Sequence, residues 1–267
     1  MRKITVITGA SSGIGKEFAI QLFNLYEKLS EPREIWLLAR SKDAMTEISK
    51  SLSGNNGKIV VKVFAIDLAG KQGAFGFNEI LQKEMQDSPL EIERLINNAG
   101  FGTYGPFEET STERELSMID LNCTSLTGIC GFSIKFMAKD SYIINVASLA
   151  AFMPLGNFAV YAATKAYVLS FTVALAAELK PKGIKVCALC PGSVSTNFAN
   201  IASNGKRKLV WHGKSPEKVV RDCIKKSISG KKIIITFAKW KILAFLSRFI
   251  GKFTVANYTF KYSERPY

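Results

Sequence analysis

The stretch "TGASSGIG" (residues 8–15) sits between the apolar run "KITVIT" (3–8) and "GIGKEFAIQLFNLYEKL" (13–29), whose apolar spacing is helical. It places Gly9, Gly13 and Gly15 at a strand-to-helix crossover. Glycines there permit a tight turn, close approach of a pyrophosphate to the backbone, and packing of the helix on the sheet. A helix that begins near Ser12 also offers free N–H groups and a positive dipole end to phosphates. A glycine triplet alone equally fits a merely structural turn, so the rest of the chain must decide.

Working outward, strand-like runs recur at 34–39, 58–66, 92–97, 141–147, 184–190 and 231–237. Helical patterns fill 71–86, 110–137 (one or two helices), 159–180 and 215–229. Alternating β and α elements with near-continuous apolar strands predict a parallel sheet covered on both faces. The expected fold is α/β: one doubly wound, Rossmann-type domain of about seven strands. It spans 1–237, with a substrate loop near 192–215, and 238–267 forms a basic amphipathic extension.

Hydrophobic residues make up 47% of the 267, enough for a large core. No run is as long and uncharged as a membrane span needs. The start, "MRKITVITGA", runs straight into the glycine turn and does not read as a signal peptide. Five cysteines without framework spacing fit a reducing cytoplasm. Cys187 and Cys190 lie in an expected buried strand and read as structural thiols. From Lys180 onward, 19 basic residues face three acidic ones, a net +16, whereas residues 1–179 carry 17 against 19, a net −2. The basicity belongs to the last third.

The second strand ends in Ala39 and Arg40 rather than in the carboxylate that binds a ribose 2′-hydroxyl. Arg40, with Lys42 nearby, is available for a 2′-phosphate, whose geometry suits a guanidinium. That predicts NADP(H) over NAD(H).

Further motifs follow in order: "DL" (67–68), "NNAG" (97–100), Asn122 in "DLNCTS", Ser148 in "NVAS", "YAATK" (161–165) and "PGSVST" (191–196). Together with "TGASSGIG" they resemble the classical short-chain dehydrogenase/reductase family over about 190 residues. The resemblance implies a catalytic set of Asn122, Ser148, Tyr161 and Lys165. Tyr161 would be the general acid or base, with its pKa lowered by the Lys165 ammonium. Ser148 would hold the substrate carbonyl, and Asn122 would steady a proton-relay water.

The cofactor residues implied are Gly9, Ser11, Ser12, Gly13, Ile14 and Gly15 for the pyrophosphate, and Asp67 and Leu68 for the adenine. Asn98, Ala99 and Gly100 belong to the adenosine ribose, Tyr161 and Lys165 to the nicotinamide end. Pro191, Gly192, Val194 and Thr196 would flank the nicotinamide and its phosphates. No metal is called for. Relatives are usually dimers or tetramers, so a homo-oligomer is expected.

The loops after the fourth, fifth and sixth strands are rich in apolar residues. Phe101, Leu149, Phe152, Met153, Phe158 and Phe198 are the substrate candidates, with Tyr104, Phe107, Leu155 and Trp211 nearby. Such a lining favours a hydrophobic ketone or secondary alcohol, steroid-, bile-acid- or fatty-chain-like. His212 reads as a surface residue, and Gly205 suggests a movable lid. A non-catalytic NADP-binding sensor and a membrane-surface interaction protein are the rival readings. The intact catalytic set speaks against the sensor.

The tail "KWKILAFLSRFIGKF" (239–253) reads as one basic amphipathic helix. Lys241, Arg248 and Lys252 share an arc opposite its apolar residues. Two uses stand side by side: it lies on an anionic membrane surface, or it covers the substrate cleft or a neighbouring subunit. Nucleic acid is the weakest partner, because no recognition motif accompanies the charge.

Overall fold

The computed structural model describes residues 1–52, 57–207, 213–263 and 265. Trp211 and His212 therefore lie outside the described residues. Seven parallel strands form one sheet in the order β3-β2-β1-β4-β5-β6-β7. They are β1 Arg2–Thr8, β2 Arg33–Ala39, β3 Ile59–Ala65, β4 Leu90–Asn97, β5 Tyr142–Val146, β6 Lys185–Leu189 and β7 Ile233–Ile234. Each falls within or across an expected run, because buried strands announce themselves by continuous apolar residues.

Alternation along the strands splits the core into two layers. Ile7, Ile35 and Leu37 face one side with Phe18 and Leu22 of helix α1 (Gly13–Tyr26) and Val219 and Val220 of α8 (Pro216–Ile228). Ile4, Val6, Trp36 and Leu38 face the other, with Phe77 of α3 (Gly70–Asp87), Ile129 of α5 (Leu126–Ile134) and Val168 of α6 (Ala159–Glu178). By length and hydropathy (1.4) α6 resembles a membrane span, yet it packs on β5 and β6 inside this core.

The chain winds outward from β1 through β2 to β3, then returns to place β4 on the other side of β1. At that switch point the loops after β1 and β4 diverge and open a crevice at the carboxyl ends of the strands.

Four features depart from the expected elements: two added helices, a π-helical joint and a broken tail. Helix α2 (Lys42–Ser51) follows Arg40, and a short helix α7 (Phe198–Ala202) interrupts the loop after β6. The segment 110–137 contains α4 (Thr112–Ile119) and α5, joined by a π-helical stretch, Asp120–Ser125. The tail is not one helix. It forms α9 (Ala238–Leu246) and α10 (Lys252–Tyr262), separated by a turn that ends at Gly251. Glycine is among the poorest helix formers, and here it precedes the first residue of α10 in a non-helical conformation. Lys252 therefore does not share a helix with Lys241 and Arg248.

Candidate active site

The glycine turn is held by its neighbours. Thr8 Oγ1 accepts from the backbone N–H groups of Asn98 (2.9 Å) and Ala99 (3.0 Å). The Asn98 amide donates to the carbonyls of Thr8 and Gly9, both at 3.1 Å. Asn98 thus fastens the loop after β4 to the turn after β1. Gly9 has φ +63°, and a Cβ there would sit 2.9 Å from Ala99 Cα, so only glycine fits. A Cβ on Gly15 would strike the Gly9 carbonyl, which is why α1 can start so close to the turn. The result is a cradle of backbone groups at a helix N-terminus, suited to a pyrophosphate.

This cradle is one end of a cleft of about 1810 Å³. Of the expected cofactor residues, only Gly15 is not on its surface. Asp67 lines the wall while its Oδ1 accepts from Ala69 N (3.0 Å). Arg40 is exposed on the lining and has no hydrogen bond or ion pair among the described residues. Lys42 lies in the first turn of α2 and off the lining, whereas Ser41, the N-cap of α2, is on it. Sequence reasoning missed Ser41, although a serine just before "KDAM" is a legible cap signal.

Ser148, Tyr161 and Lys165 converge beyond the end of β5. Ser148 Oγ accepts from Ala150 N (3.1 Å) and favours the Tyr161 phenolate by hydrogen bonding. Lys165 Nζ donates to the Val146 carbonyl (2.8 Å) and stands 5.7 Å from the Tyr161 ring centroid. The one-helical-turn spacing on α6 brings both side chains to one face. Burial governs both ionisations. It pushes the Tyr161 phenol well above its usual value and pulls the Lys165 ammonium down to about 8. The expected lowering of Tyr161 by Lys165 is therefore not met in the protein alone: removing the phenolate from water outweighs Ser148.

The Asn122 side chain is committed to the protein itself. Its Nδ2 donates to Phe101 O (3.0 Å) and Thr164 Oγ1 (3.0 Å), and its Oδ1 accepts from Phe101 N (3.1 Å). The side chain is buried, off the cleft surface, and committed to clamping the loop after β4.

Phe101, Leu149, Met153, Phe158 and Phe198 line the substrate end, joined by Tyr104 and Leu155. Phe152 does not. It is partly buried and packs against the apolar cluster that contains Leu126, Ile129 and Val168. Phe107 is also off the cleft and largely exposed.

The tail closes the far wall. Trp240 of α9 is buried against Gly192, and a Cβ at that glycine would collide with the indole. Thr259 Oγ1 of α10 accepts from Gly156 N (2.8 Å), and Asn157 Nδ2 donates to Phe260 O (3.0 Å). Leu243, Ile250, Val255 and Tyr258 complete the lining. Nothing local in the sequence pointed to these contacts.

Cys187 and Cys190 are free and buried, and burial pushes the Cys190 thiol up to about 12. They are inert structural thiols.

The chain is similar to an uncharacterised oxidoreductase of Staphylococcus epidermidis, 31% identical over 209 residues that cover 77% of this chain and 84% of the relative. It is 31% identical over 211 residues to the 3-oxoacyl-[acyl-carrier-protein] reductase of Chlamydia pneumoniae, covering 78% and 80%. Among solved structures, a short-chain dehydrogenase from Sphingobium yanoikuyae in complex with NADPH superposes with a TM-score of 0.76 at 25% identity, covering 93% of this chain and 94% of that one. The short chain dehydrogenase family model matches residues 3–206, and with the sheet order and the cleft described above, this chain belongs to that family of oxidoreductases, which use a nicotinamide cofactor.

Proposed function

We propose that the protein is an NADP(H)-dependent oxidoreductase that transfers a hydride between nicotinamide and a hydrophobic ketone or secondary alcohol, steroid-, bile-acid- or fatty-chain-like. One observation carries the reading: Ser148, Tyr161 and Lys165 meet in a single cleft between a glycine cradle and an apolar wall. The cradle, with Arg40 beside it and unpaired among the described residues, fits an adenine dinucleotide bearing a 2′-phosphate. The NADPH in the Sphingobium relative is in keeping with that preference.

When bound, the reduced cofactor supplies the hydride. In reduction, Ser148 Oγ hydrogen-bonds the substrate carbonyl oxygen and the Tyr161 hydroxyl donates its proton there. Burial keeps Tyr161 protonated, the state from which a general acid starts. The Lys165 ammonium then faces the developing phenolate in a water-poor site, where Coulomb attraction is strong. Phe101, Met153, Phe158 and Phe198 exclude water and select an apolar substrate.

The test is NADPH consumption across ketones graded by chain length and ring number. Turnover should rise with apolar bulk. Tyr161→Phe should lower kcat by about 10²- to 10⁴-fold with NADPH affinity unchanged. Full activity in that variant refutes the assignment.

A further inference from the structure

We infer that the outer face of the two tail helices is a docking surface for an anionic lipid bilayer, and that the substrate cleft opens onto it. The first support is an inversion in α9. Trp240 and Ala244 pack inward. Ile242, Phe245 and Leu246, spaced i, i+3, i+4, fall roughly opposite them on the helix and point outward, and Phe249 in the following turn is exposed too. A helix that only covers a cleft would bury its more apolar side.

The exposure continues past the turn. Phe249 is 72% exposed, Phe253 81% and Tyr262 70%. Phe245 and Phe249 pair with ring centroids 5.2 Å apart, and Tyr258 and Tyr262 at 5.1 Å, outside the core rather than in it. Apolar patches this continuous mark interaction surfaces.

The charge chooses the occupant. Residues 238–263 hold no acidic residue, and Lys241, Arg248, Lys252 and Lys261 are exposed and off the cleft lining, whereas Lys239 lies on it. A second copy docking by the same face would bring these cations together, whereas anionic headgroups neutralise them. Aromatic rings beside lysines match the boundary between headgroups and acyl chains.

The position supplies the consequence. Leu243, Ile250 and Tyr258 are 43%, 47% and 62% exposed and also line the cleft, so the apolar surface runs unbroken from the ridge into the site. A lipid-dissolved substrate could pass from bilayer to cleft without crossing bulk water. Docking itself does not rest on the proposed reaction, because it is read by binding alone.

The experiment is co-sedimentation of the full chain with vesicles of phosphatidylcholine, and of phosphatidylcholine containing roughly a third phosphatidylglycerol. The wild type should pellet with the anionic vesicles and much less with the neutral ones. The Phe249→Glu/Phe253→Glu variant should bind anionic vesicles at least about tenfold more weakly, while NADPH binding and turnover of a water-soluble ketone stay unchanged. Lys241→Gln/Lys252→Gln should weaken binding to anionic vesicles only, by about tenfold or more. The inference falls if the wild type stays in the supernatant, or if the glutamate variant binds like wild type. It also falls if these substitutions only split a dimer that ignores vesicles.

Discussion

Phe158 stacks on Tyr161, with ring centroids 4.2 Å apart and planes 21° from parallel. Arg265 also packs on Phe158, its guanidinium carbon 5.0 Å from that ring centroid, while donating to the Gly156 carbonyl at 2.6 Å. The tail thus reaches the candidate acid through one ring. Phe158 belongs to the enclosure that desolvates Tyr161 and holds its pKa above the usual phenol value.

Removing that ring should therefore change the pH profile. Phe158→Ala lets water reach the phenol, and its pKa falls back toward the ordinary value. The alkaline limb of ketone reduction should move down by about one pH unit or more. Turnover measured from pH 6 to 11 checks this, and an unmoved limb removes Phe158 from the explanation.

Arg40 faces the cleft with its guanidinium unengaged among the described residues. Arg40→Ala should weaken NADPH by about tenfold to a hundredfold, the scale of a charge-assisted hydrogen bond. NADH binding should change less than about twofold. Fluorescence titration of both cofactors decides, and equal losses sink the 2′-phosphate role.

Lys165 is a stability cost as well as a functional group. Burial lowers its pKa from 10.5 to about 8, a difference of about 3 kcal/mol. Below pH 8 the lysine is protonated in both the folded and the unfolded chain, and the full penalty applies. Between about 8 and 10.5 the folded lysine is neutral while the unfolded one still binds its proton, so folding regains stability as pH rises. Lys165→Met should therefore raise Tm at pH 7 while abolishing turnover, and its advantage should shrink at pH 10. A gain that is independent of pH contradicts this account.

Much of the molecule was legible because its signals are local. Seven apolar runs separated by helical patterns are enough to imply a parallel sheet, since each strand must be covered on both faces. Gly9 and Gly15 could be singled out because a turn this tight admits nothing larger. Tyr161 and Lys165 could be paired because one helical turn aligns them.

Other features depend on what packs where. Asn122 also holds the loop after β4, because its amide bonds Phe101 and Thr164, 21 and 42 residues away in the chain. Phe152 looked like substrate lining and instead serves the core. The direction of the Tyr161 shift followed from burial, which no spacing of residues encodes.

By itself, the sequence determined the order of the strands along the chain, the pyrophosphate cradle and the chemical groups available beside it. These follow from backbone sterics and from periodicities of two and 3.6 residues, which act over a few neighbours. Only the tertiary structure decided that the tail breaks at Gly251, that Trp240 rather than the richer apolar stripe turns inward, and that the cleft opens beside that stripe. The physical reason is complementarity: the indole fits against a glycine at position 192, distant in the chain, and with Ala244 also buried the opposite side of α9 is left to water.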